Sequence, residues 1–158
     1  MPVTPALRRA NPDDAATVAQ LCTHVQGWHA QHYPASFLAT PDPVALEDHF
    51  AARLADPAVT CFLVGDPAQG YALCTLHIRP LSVFSPAVRR LMIDHIAVVP
   101  QARRQGIGRA LLTAARSLAR DLACDEVLLD TWAANHSAHA LFEANGFAVR
   151  RMLYHAAP

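Results

Sequence analysis

Lysine is absent from the 158 residues: all thirteen basic side chains are arginine. A phosphate-gripping P-loop lysine, a Schiff-base lysine and lysine self-acetylation are therefore excluded. The bias is of the kind a GC-rich genome produces. An excess of one charge is missing too. The thirteen arginines face thirteen acids for a formal net charge of zero, so no global field recruits nucleic acid or an anionic membrane. The four cysteines (Cys22, Cys61, Cys74, Cys124) show no C-x-x-C spacing. Cys61 and Cys74 stand inside apolar runs and read as buried free thiols of a reducing compartment. No apolar stretch approaches the ~18 residues of a membrane span, and the first residues lack the apolar segment of a secretion signal. The expectation is a cytoplasmic protein without membrane or nucleic-acid partners. His29 and His32 stand three apart, as do His136 and His139, but neither pair has a visible third ligand, so no metal site is expected.

What is present describes a globular chain: 53% hydrophobic and 16% charged residues. Its length suits a single domain over residues 1–158, with no repeat and no linker. Val3 to Arg9 reads as a short strand. Asn11 caps a helix with Pro12 at its first position, and Val18, Leu21, Val25 and Trp28 form its stripe through about Gln31. A loop rich in proline and aromatics follows, from His32 to Pro43, and then a second helix from about Val44 to Ala55. Val59 to Val64 and Tyr71 to Ile78 read as strands joined by the turn Gly65 to Gly70. Glu126 to Trp132 is a strand, Asn135 to Ala144 a short helix, and Phe147 to His155 a last strand. The expected fold is α/β in a mixed α+β arrangement, with a central mixed sheet of about six to seven strands and helices on both faces.

The densest information lies between Leu91 and Leu112. Leu91 to Val99 is an apolar run that suits a strand buried on both faces, ended by Pro100. Gln101 to Gln105 is a polar loop, and Gly106-Ile107-Gly108 opens a helix whose stripe is Ile107, Leu111, Ala114, Leu118 and Leu122. The first N–H groups of a helix lack internal partners and sit at its positive dipole end, so they can hold a phosphate. Glycines at 106 and 108 permit a close approach, and Arg103, Arg104 and Arg109 add positive charge.

Arg103-Arg104-Gln105-Gly106-Ile107-Gly108 resembles the R/Q-x-x-G-x-G/A motif of the GNAT family of N-acetyltransferases. Asn135 to Ala138 and Leu141 to Phe147 are similar to the family's N-x-x-A-x-x-(L/F)-Y-x-x-x-G-F. The resemblance implies acetyl-CoA as acyl donor, its pyrophosphate on the loop from Arg104 to Arg109 and its pantetheine along Ile96, Ala97 and Val98. It further implies a thioester carbonyl near the N–H of Val98, and Asn135 contacting the pantetheine arm. Position 142 departs from the pattern: Phe142 stands beside the donor where the family often has a tyrosine to protonate the leaving thiolate. A homodimer is common in the family.

An alkylamine acceptor with a pKa near 10 needs a base at neutral pH. Alternation puts Met92, Asp94 and Ile96 on one face of the central strand and Leu128, Asp130 and Trp132 on one face of its neighbour. Asp94 and Asp130 are the acids within these apolar runs, and both match positions where family members carry acids. They are the candidate catalytic residues, unless each bonds a backbone group or an arginine such as Arg79. His95 points to the opposite face unless a bulge turns it. Trp28, His29, His32, Tyr33 and Phe37 offer a ring-lined wall for the acceptor, a small-molecule or peptide amine. A CoA-binding regulatory module with little or no transfer is the alternative, motivated by Phe142.

Overall fold

The computed structural model describes residues 5–158, so Val3 and Thr4 of the expected first strand lie outside the described residues. In chain order the elements are β1 (Leu7–Arg9), α1 (Ala15–His32), α2 (Pro43–Ala55), β2 (Val59–Val64), β3 (Gly70–Arg79), β4 (Val88–Val98), α3 (Ile107–Asp121), β5 (Glu126–Leu129) and α4 (His136–Ala144). One sheet runs β1-β2-β3-β4-β5. Neighbours through β4 are antiparallel, and β5 joins β4 parallel because α3 crosses between them.

The two sheet faces carry separate cores. Leu91, Ile93, Leu111, Leu112, Ala115 and Phe142 bury one face under α3 and α4. Val18, Leu21, Phe50, Leu63, Tyr71 and Leu73 bury the other under α1 and α2. The three cysteines Cys22, Cys61 and Cys74 are buried free thiols, and Cys124 is free and half-buried. No helix among the described residues is long and apolar enough to cross a membrane.

Five strands replace the expected six to seven. The difference is the segment from Phe147 to His155, which forms no strand. Its pattern alternates, but a strand exists only where a neighbouring edge supplies N–H and C=O partners. Here Val149, Met152, Leu153 and Tyr154 are 62%, 68%, 97% and 85% exposed. The strand expected through Trp132 also stops earlier, at Leu129.

The entry into α1 is set by local chemistry. Asn11 and Asp14 form a reciprocal capping box around a single turn, Pro12–Asp14. Arg8 bonds Asp14 at 2.7 Å and holds its carboxyl below the ordinary range, against a smaller opposing effect of burial. A carboxyl lowered in the fold stabilises above its unfolded pKa, and the contribution is lost as pH falls through the lowered value. Asp14→Asn should therefore reduce Tm by roughly 1–4 °C at pH 7, and the gap to the unmodified chain should close towards pH 3. Paired thermal melts at the two pH values check this.

Candidate active site

The site is organised by an irregularity in β4. Leu73 faces His95 and Cys74 faces Ile93, so Asp94 is an extra residue with no partner across the ladder. Such a bulge shifts the side-chain period by one. Leu91 and Ile93 point to the α3 side, and so do Ile96 and Val98 after the bulge, whereas Ala97 belongs to the core under α1 and α2. The expectation that Met92, Asp94 and Ile96 share a face is thus corrected. Asp94 and His95, consecutive in sequence, both project to the α1/α2 side.

Asp94 is not a free carboxylate there. Its Oδ2 accepts from Arg53 Nη2 at 2.7 Å and from the Thr75 hydroxyl, and Arg53 Nη2 also reaches Thr75 Oγ1 at 2.8 Å. The side chains of Arg53 and Asp94 are 30% and 26% exposed, so the pair is reachable from the cleft. His95 is half-buried, with Nδ1 3.1 Å from the Tyr71 hydroxyl and its ring edge-on to Phe50 at 5.7 Å. Burial holds the His95 imidazolium below its usual pKa. Asp94 opposes that effect, while His49, Arg53 and His29 reinforce it. Burial pushes Tyr71 well above the usual phenol value, so its hydroxyl stays protonated.

The outer edge of β4 opens beside this group. Pairing with β5 ends at Ile93 and Leu129, while β4 continues to Val98. The Val99 N–H bonds Gln69 on the β3 side at 2.9 Å. Alternation then commits the backbone groups of Ala97 to β3 and turns those of Ile96 and Val98 to the unpaired side. The Val98 carbonyl accepts from Arg103 Nε at 3.2 Å. The Val98 N–H points to that same side, beyond the end of the pairing with β5.

The loop beyond Pro100 leads from that edge to α3. Arg104 (φ 64°) and Gly106 (φ 84°) are both left-handed, and Gln105 Nε2 donates to the Gln101 carbonyl at 3.2 Å. No side chain caps α3, and the N–H groups of Gly106, Ile107, Gly108 and Arg109 find no acceptor among the described residues. A row of free donors at a helix start, with Arg103, Arg104 and Arg109 exposed around it, fits a phosphate group. The two glycines serve different ends. At Gly106 a Cβ would meet open space, so its positive φ is what favours glycine. At Gly108 a Cβ would stand 3.0 Å from Leu141 Cδ2, so that glycine lets α3 start against α4.

Ring side chains from α1 and two loops meet on the far side of the bulge. Trp28 stacks on His32 at 4.0 Å and His29 on Phe37 at 4.6 Å. Trp132, from the loop after β5, lies 4.2 Å from Tyr33 and 5.2 Å from Phe37. The Tyr33 hydroxyl accepts from the Ala134 N–H at 3.1 Å and ties the two loops together. Asp130 sits exposed just past β5, with no ion pair or side-chain hydrogen bond among the described residues. Asn135 caps α4 through its Oδ1, which accepts from Ala138 N–H at 3.2 Å. Phe142 is 6% exposed and lies in the core under α3.

Arg53, Thr75 and Tyr71 escape a reading of the sequence alone. Arg53 had one usable signal: it follows Phe50 by three residues and so flanks the inward stripe of α2, where a cation needs a partner. The others look like ordinary core positions.

The sequence from 23 to 147 matches the family model described as "Acetyltransferase (GNAT) family". The aminoglycoside N(6')-acetyltransferase type 1 of Klebsiella aerogenes is 30% identical over 102 residues, which cover 65% of this chain and 67% of that protein. The chain spans a smaller share, 32% and 33%, of the human and Xenopus laevis N-acetyltransferase relatives it also matches. Among solved structures, a Bacillus halodurans protein aligns with a TM-score of 0.91 at 22% identity, over 97% of this chain and 99% of that one. An aminoglycoside N-acetyltransferase in complex with CoA aligns with a TM-score of 0.71 at 16% identity, over 97% and 99%. The chain belongs to the acetyltransferase (GNAT) family.

Proposed function

We propose that this chain moves the acetyl group of acetyl-CoA directly onto the amine of a small molecule or peptide. The observation that carries this reading is the unpaired edge of β4 at Ile96 and Val98, running into the uncapped start of α3. An amide-bearing chain can pair with such an edge as an added strand does. The pyrophosphate falls to the N–H groups of Gly106 to Arg109 with the surrounding arginines, and Asn135 flanks the arm. Bound there, acetyl-CoA supplies a thioester activated towards amines.

The remaining work belongs to side chains and backbone of the chain. The Val98 N–H, on the side of β4 beyond its pairing with β5, is the donor available to the carbonyl oxygen as it gains charge. In the tautomer where the Tyr71 hydroxyl oxygen accepts from the His95 Nδ1–H, the Nε2 lone pair is left free. His95 then receives the proton of the attacking amine. Asp94, fixed by Arg53 and Thr75, orients the bulge, and Asp130 borders the opening from the β5 side. The C–N bond forms as the C–S bond breaks, and solvent protonates the CoA thiolate, since Phe142 offers no hydroxyl.

Incubating the purified chain with acetyl-CoA and a panel of amines, and following free thiol, tests the proposal. Acetylated amine appearing in step with thiol supports it. The second reading, a regulatory module that binds CoA, is favoured by the buried Phe142. Saturable CoA binding with no turnover of small amines, peptides or protein N-termini would establish that reading instead.

A further inference from the structure

Resting on the transfer reading above, we propose that the acceptor is a monoamine carrying an aromatic or similarly flat apolar group, laid against Trp28, Tyr33, Phe37 and Trp132, and not a polycation. The wall is held together by contacts within the chain. Tyr33 is pinned to Ala134, and Trp132 is held between Tyr33 and Phe37 while 37% of its surface stays exposed. A ring placed there covers apolar surface and finds offset or edge partners without rearrangement of the loops.

Charge on the acceptor side points the same way. A polyammonium acceptor needs one carboxylate for each ammonium it brings out of water. Asp94 is already neutralised by Arg53, and Asp42 caps α2 through the Ala45 N–H. Asp130 is exposed beside Trp132 and can face a single cation. Glu47 and Asp48 stay exposed to water on α2. The histidines add no negative charge, and burial keeps His29 below its usual pKa and so uncharged at neutral pH. The surface that remains is rings with one unpaired acid, a match for one amine at the end of an apolar body.

The chain's two tryptophans, Trp28 and Trp132, both stand in this wall, so binding can be read by fluorescence without turnover. The experiment compares 2-phenylethylamine and tryptamine with spermidine and kanamycin, by kcat/KM from thiol release; for the non-indole amines, quenching of the CoA-bound protein is read as well. The expected result is a preference of about 10- to 100-fold for the aryl amines. Trp132→Ala should raise their KM about tenfold while the CoA affinity stays unchanged. A preference for kanamycin or spermidine would overturn the inference and leave the transferase reading standing. Saturable quenching by 2-phenylethylamine without any turnover would support the acceptor class and sink the transfer step. The absence of both quenching and turnover with aryl amines would overturn it outright.

Discussion

His95→Gln is expected to lower kcat/KM for amine acetylation by about 10²–10⁴-fold near pH 7.5, the range a positioned base contributes. Glutamine keeps a polar side chain beside Tyr71 and Phe50 but cannot take up a proton. Burial lowers the native pKa of His95 from its ordinary 6.5, so the imidazole is already neutral at physiological pH. The unmodified chain should accordingly show kcat/KM rising with pH through that lowered value and levelling above it. In His95→Gln the level portion should vanish and activity should climb only as the amine itself loses its proton, near pH 10. Asp94→Asn makes the necessary contrast. It frees Arg53 and loosens the bulge, so activity should fall about tenfold while the shape of the profile is kept. Should Asp94→Asn abolish the limb and His95→Gln preserve it, the proton goes to the carboxylate and the assignment is reversed. The same lowered pKa has a sign for stability: the unfolded chain binds the proton more readily, so this residue's contribution declines as pH falls below about 6.5. Thermal melts between pH 5 and 8 should show a smaller decline in His95→Gln.

Gly106→Val is the second large effect, here on affinity. The backbone at 106 has φ 84°, which a β-branched residue resists at a cost of roughly 1–2 kcal/mol. The chain relieves that strain by turning the peptide, and the N–H groups at the start of α3 then lose their common direction. Losing two hydrogen bonds to a charged group, at about 1.5–3 kcal/mol each, corresponds to roughly 10²–10⁴-fold weaker CoA binding. The added side chain meets open space, so stability should fall by no more than that backbone strain. Calorimetric titration beside a melting curve separates the two quantities. Gly108→Ala is the packing control: its Cβ displaces the flexible end of Leu141, so a few degrees of Tm should be lost with most of the affinity retained. Full affinity in Gly106→Val would end the placement of the pyrophosphate on this loop.

Much of this site could be read from single stretches of chain. The strand ended by Pro100, the glycine opening of α3 and the cap at Asn135 are local, governed by φ restrictions and unpaired helix donors within a few residues. Hence they appear in the structure where the sequence puts them. The ring wall too was visible as composition, because aromatics crowded between His32 and Pro43 have few other uses. The expectation that Ile96 shares the face of Asp94 failed for a different reason. Strict alternation assumes an unbroken ladder, and one extra residue opposite Leu73 and Cys74 reverses everything that follows. The strand expected from Phe147 to His155 failed because alternation describes a surface and says nothing about whether an edge is available to pair with it.

The sequence by itself therefore determined the family, the order of the elements and the uncapped glycine start of α3, since each depends on contacts a few residues apart. Only the tertiary structure decided that Asp94 is bound to Arg53 and Thr75 while His95 turns in beside it. Those contacts join α2, β3 and β4 across 19 to 41 residues of chain, a separation over which no local pattern constrains which side chains meet.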